Sequence, residues 1–160
     1  MGIAPEDPTE AGTAVGFEEL FEREALAQVQ RASLLLGSVA EANDVVQEAF
    51  ARLLERWDDL DAPGPYLNRT VLNLCRDQAR HRGRQRRLLG RLAGRPDRVE
   101  TAEVLDDVLE RLPFNQRAAV VLRFWGGLTT AEIAAELGCA PGSVGPWISR
   151  ALSTMRKELR

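Results

Sequence analysis

Between Thr129 and Arg150 the chain places hydroxyls, an indole and a guanidinium at helical spacing: Thr129, Thr130, Ser143, Trp147, Ser149 and Arg150. Hydroxyls and arginine suit phosphate oxygens and base edges. A second set, Tyr66, Arg69, Asn73, Arg76 and Arg80, recurs every three or four residues. Arginine beside an aromatic ring is the chemistry that holds unstacked bases. From spacing alone, Tyr66 and Trp57 suit half-buried core positions as well. A third set, Asp44, Gln47, Glu48 and Arg52, is mostly acidic and suits a protein partner. No constellation supports catalysis or a metal. There is one histidine, His81, and the two cysteines, Cys75 and Cys139, are far apart in sequence. Both cysteines read as small buried apolar residues rather than a disulfide. Asp58, Asp59 and Asp61 read as solvated charge on a short loop. No catalytic group, metal site or cofactor is therefore expected.

Charge is sharply segregated. The net charge is −3, yet residues 1–61 carry −10, residues 69–98 carry +8 and residues 99–160 carry −1. An acidic total does not exclude nucleic acid, because the field that matters is local. Twenty of the 21 basic residues are arginine. Arginine suits phosphate, although an arginine-biased GC-rich genome explains most of that preference. The start of the chain lacks a secretion signal's basic opening and apolar run, and no apolar run is long enough to span a membrane. A cytoplasmic protein is expected.

The elements that must hold these residues read as all-α, with no alternating strand pattern. Residues 1–16 are expected to be a disordered tail. Helices are predicted over about 17–36, from Ser38 through Trp57, and over about 66–81. Ser38 with Glu41 forms a capping-box signature. Together these make a first helical domain, 17–85. Residues 86–100, rich in arginine and glycine, form a linker, partly helical and then flexible. The second domain, 101–160, begins with a short helix that Pro113 stops. Asn115 is expected to cap the next helix, whose stripe is Ala118, Val121, Leu122 and Trp125. Thr129 with Glu132 is a second capping box. Ala134, Gly138 and the stripe Val144, Ile148, Leu152 and Met155 complete a helix-turn-helix over about 129–150, a unit whose second helix enters the DNA major groove.

With these residues in place, the chain resembles the bacterial sigma factors, in their compact extracytoplasmic-function (ECF) form with only regions two and four. Asp44-Val45-Val46-Gln47-Glu48-Ala49-Phe50 resembles the region-two helix that binds the clamp helices of the polymerase β′ subunit. Pro65 through Asp77 resembles the segment that melts and reads the minus-ten element. Leu112 through Arg117 and Leu128 through Ala134 resemble region four, which reads the minus-thirty-five element and touches the β flap. The resemblance implies that Asp44, Gln47, Glu48 and Arg52 contact core RNA polymerase. It implies that the loop 58–64 holds an extruded base and that Tyr66, Arg69, Asn73, Arg76 and Arg80 contact minus-ten DNA. By the same resemblance Thr129, Thr130, Ser143, Trp147, Ser149 and Arg150 face the minus-thirty-five element. Partners are then core polymerase, promoter DNA and, where one exists, an anti-sigma factor. One departure stands out: Gly145-Pro146-Trp147 replaces the usual polar pair of the recognition helix. Proline is comfortable only in a first turn. A helix starting later, with Ser143 as its cap, or one kinked at Pro146, is predicted, with Trp147 packing against a neighbouring helix.

Overall fold

A computed structural model describes residues 8–89 and 102–160, and its described residues are helical, without strands. The helices are α1 (Pro8–Leu36), α2 (Val39–Glu55), α3 (Pro63–Leu89), α4 (Ala102–Arg111), α5 (Phe114–Phe124), α6 (Thr130–Leu137) and α7 (Pro141–Glu158). A 3-10 turn, Trp57–Asp59, joins α2 towards α3.

Several boundaries differ from the sequence reading. α1 begins at Pro8, so residues 8–16, expected to be disordered, are helical, while 1–7 lie outside the described residues. α3 starts at Pro63 and runs to Leu89, so the expected linker 86–100 is helical at its start. The rest of that linker lies outside the described residues. Asn115 does not cap α5, whose N-cap is Pro113. The 3-10 turn takes up the first half of the loop expected at 58–64.

Local chemistry explains the ends. Gly37 closes α1 with φ of 68°, a left-handed conformation that glycine adopts without a Cβ penalty. The Ser38 hydroxyl accepts from the Glu41 amide at 3.2 Å. The reciprocal half of the expected box is absent, because the Glu41 carboxylate pairs instead with Arg82 of α3. At α6 both halves are present, with Thr129 and Glu132 exchanging bonds at 3.2 and 3.4 Å.

α1, α2 and α3 pack around Leu20, Leu35, Val46, Phe50, Leu53, Leu67, Val71 and Cys75. Phe17 stands edge-on to Phe50 and Trp57, with centroids 6.3 and 5.4 Å away, a favoured aromatic geometry. Burial pushes the Cys75 thiol up to about 12, which makes it inert; Cys139 is only partly buried. The second helical group centres on Ala118, Val121, Leu122, Ile133, Ala134, Leu137 and Val144, and its apolar contacts run continuously into the first core. Leu109, Leu112, Val120 and Ala151 form a smaller cluster, against which Leu34 of α1 also packs. The two helical domains therefore pack on each other, α1 against α4 and α5, and α3 against α6.

A buried arginine stitches that contact, and a buried glutamine braces the first domain beside it. Arg117, on the inner face of α5, donates Nε to the Leu109 carbonyl at 2.7 Å and one terminal nitrogen to the Leu35 carbonyl at 2.5 Å. Its other terminal nitrogen reaches the carbonyls of Glu110 and Leu112, both at 3.0 Å. The guanidinium thus caps the C-terminal ends of α1 and α4, where carbonyls lack helical partners and the dipole favours a cation. Gln28, 1% exposed, donates to Asn68 at 2.6 Å.

α7 corrects the expectation for the recognition helix. It starts at Pro141 with Ala140 as N-cap, so Ser143 is no cap and lies in the first turn. Pro141 has the preset φ of a first helical residue. Pro146 stands inside the helix and forgoes one bond, to the Gly142 carbonyl. Buried Val144 and Ala151, with partly buried Ile148, hold the helix on both sides of that gap.

Candidate functional site

The acidic set lies on the outer face of α2. Asp44, Gln47, Glu48 and Arg52 are all exposed, while Val45, Val46, Ala49 and Leu53 on the opposite face are buried. Glu48 and Arg52 pair one turn apart at 2.9 Å. Leu54 is 58% exposed and adds apolar surface near this face.

The basic set lies along one stripe of α3. Arg69, Asn73 and Arg80 are exposed, and Tyr66 and Arg76 are half-buried. Tyr66 packs against the core with Arg56 over its ring at 5.6 Å. Arg76 lies over Phe114 of α5 at the same distance, a cation–π contact between the domains. Among the described residues, Arg69, Arg76 and Arg80 are in no ion pair.

In the helix-turn-helix, Gly138 ends α6 with φ of 66°, and the Cys139 amide bonds the Ala134 carbonyl at 3.0 Å. Ala134 is 3% exposed, as the close helix crossing requires. Thr129, Ser149 and Arg150 are exposed, with the Thr129 hydroxyl held in the α6 capping box. Thr130, Ser143 and Trp147 are half-buried. The Thr130 hydroxyl accepts from Arg123 at 2.6 Å. Trp147 packs on the core, as expected, and lines a cleft shared with Arg76 and Arg80. Residues assigned to two different promoter elements thus face one another. Trp125, expected on the buried stripe, caps α5 and is half exposed.

Sequence reading missed Asn68, Glu136 and Arg117. Asn68 receives Gln28 and Arg31 and donates to Glu136 of α6 at 3.1 Å. Arg117 and Gln28 occupy apolar-stripe positions, and that mismatch was the available signal. Burial raises the Glu136 carboxyl above the ordinary carboxylate range, with Arg31 and the Asn68 hydrogen bond opposing. Its second oxygen is buried without a hydrogen-bond partner.

A raised folded value means that folding favours the protonated acid. That contribution is complete below the unfolded carboxylate range and is lost as pH rises through the folded value. Glu136→Gln keeps an acceptor for Asn68 and removes the ionisation. Urea unfolding is expected to show the variant gaining on the parent as pH rises from below the ordinary carboxylate range to above it. A difference independent of pH overturns this.

The geometry defines a helix-turn-helix nucleic-acid-binding protein with a second helical domain bearing an acidic and a basic face. Comparison with known proteins narrows the class. The family model "Sigma-70 region 2" matches residues 20–85, and "Sigma-70, region 4" matches residues 102–155. The RNA polymerase sigma-E factor of Streptomyces coelicolor is 32% identical over 156 residues, covering 92% of this chain and 88% of that protein. The ECF RNA polymerase sigma factor SigM of Mycobacterium tuberculosis is 32% identical over 158 residues, covering 93% and 80%. CnrH, solved in complex with the cytosolic domain of CnrY, superposes with a TM-score of 0.70 at 29% identity, covering 93% of each chain. The sigma factor RpoE of Bartonella quintana, solved with the anti-sigma factor NepR, shares the fold, with a TM-score of 0.72 at 22% identity and coverage of 90% and 96%. The chain belongs to the ECF sigma factors of RNA polymerase. It is a transcription initiation factor that works with core polymerase and promoter DNA, in a family whose members are not enzymes. No helix among the described residues is long and apolar enough to cross a membrane.

Proposed function

We propose a division of the initiation task among the three faces. The α2 face, Asp44, Gln47, Glu48 and Arg52, docks on the β′ clamp helices. The α3 stripe, Tyr66, Arg69, Asn73, Arg76 and Arg80, contacts and helps to separate the minus-ten region. Thr129, Ser149 and Arg150 contact the minus-thirty-five element, with the region-four domain also meeting the β flap. The observation that carries this reading is the basic stripe of α3, whose Arg76 and Arg80 form no ion pair with a carboxylate among the described residues. Cations left unneutralised within a protein are available to phosphates.

The closed packing sets a condition. The two elements lie about 25 base pairs apart by their names, or about 85 Å of duplex. Trp147 and Arg76 line one cleft, so the domains must separate before both elements are engaged. Half-buried Ser143, Thr130 and Trp147 are secondary to the exposed contacts in this division. The site of action is the cytoplasm, and an anti-sigma factor joins polymerase and promoter as a proposed partner.

In vitro transcription with core polymerase, followed by start-site mapping, tests the assignment. Promoter-specific transcripts are expected, and their absence at low salt overturns it. Arg76→Ala is expected to lower permanganate reactivity at minus ten by about tenfold, while Arg156→Ala has little effect there. Equal reactivity of both variants on one promoter removes Arg76 from the melting role.

A further inference from the structure

The cleft between the domains holds more cationic chemistry than promoter contact explains. Its volume is about 800 Å³, within the range of small-molecule sites and too small for a duplex. One wall is α3, with Arg76, Arg80, Arg84 and Arg87 around Gly83. These arginines follow at steps of four, four and three, so they form one stripe about 16 Å long. Like charges at this spacing repel one another. Among the described residues none of the four is in an ion pair, and no carboxylate lines the cleft. Arg82, by contrast, is engaged by Glu41 and the Leu36 carbonyl.

The opposite wall favours anions independently. It is the first turn of α5, whose N-terminus has no side-chain cap, and open helix N-termini attract phosphate. Phe114 and Trp147 stand beside it, with the amides of Asn115 and Gln116. The middle of the α3 wall is open: a Cβ added at Gly83 meets nothing within 4 Å.

We propose that this cleft binds a small polyphosphate, either bare or carried by a nucleoside. The stripe is too long for a single phosphate, and the aromatic rings and amides suit a base. Such a ligand touches both domains and holds them closed. This last consequence rests on the proposed function, because Arg76 and Arg80 are then withheld from the promoter; the binding itself does not.

The test is calorimetric titration of the full chain, without polymerase and in magnesium-free buffer, with tripolyphosphate, GTP, ATP, GMP and guanosine. Saturable one-to-one binding of the triphosphates is expected, with GMP at least about tenfold weaker and guanosine silent. GTP or ATP binding more tightly than tripolyphosphate identifies a nucleotide, and equal affinity identifies the bare chain. Arg84→Ser with Arg87→Ser, both exposed sites, is expected to weaken binding about a hundredfold. Gly83→Leu fills the open wall without changing charge and is expected to block binding as well. No saturable binding, or binding undiminished in both variants, overturns the proposal. Transcription by the unliganded chain is measured separately, so failure of the promoter reading leaves the titration standing, and the reverse.

Discussion

Arg117→Met is expected to destabilise the chain by about 3–5 kcal/mol, the largest effect of any single substitution considered. Methionine preserves the apolar stem but leaves the carbonyls of Leu35, Leu109, Glu110 and Leu112 without their donor. They lie at or beside helix C-termini, where intrahelical amides run out, although the Leu109 carbonyl also accepts from the Leu112 amide at 3.1 Å and keeps that bond. Arg117→Lys should recover little, because one ammonium cannot span the fork that serves two helix ends. Urea unfolding measures the loss, and the melting temperature should fall by about 10 °C. Small-angle scattering provides a second readout. The Leu35 bond crosses from one domain to the other, so the variant should expand before it unfolds. A loss below about 1 kcal/mol would show that water replaces the guanidinium without penalty.

The second large effect is functional. Asp44→Arg with Glu48→Arg is expected to weaken binding to core polymerase by at least about a hundredfold, because like charge is then pressed against the partner's complementary surface. Stability should change by less than about 0.5 kcal/mol. Both side chains are exposed, and the pair lost, Glu48 with Arg52, is a surface one worth a few tenths of that unit. Fluorescence anisotropy with labelled chain gives the affinity, and circular dichroism checks the fold. An unchanged affinity would remove the α2 face from the polymerase interface while leaving the family membership intact.

Much of this architecture was legible before any coordinates. The α6 capping box, the Ala134 and Gly138 positions and the buried Val144 followed from local rules, because capping and turn geometry depend on residues within one or two helical turns. The same rules misplaced ends. Pro63 fell in the expected loop 58–64 and Pro141 ahead of the expected recognition helix, yet each opens a helix, since proline's fixed φ suits a first turn. Glu41 was assigned to Ser38, its neighbour in sequence, but Arg82 of α3 offered a stronger, charged partner.

The sequence by itself determined the helical class, the helix-turn-helix, the segregation of acidic and basic faces and the residues that carry them. Periodicity reports which face of a helix is apolar, and charge runs report where a field is concentrated. Tertiary structure alone decided what each face meets. Arg117 and Leu35 are 82 positions apart, and Asn68 and Glu136 are 68 apart. No local pattern encodes such pairings, because they arise only when two independently amphipathic domains settle against each other. That same settling turned Trp147 towards Arg76 and Arg80, joining two sets proposed for promoter contact in one cationic cleft.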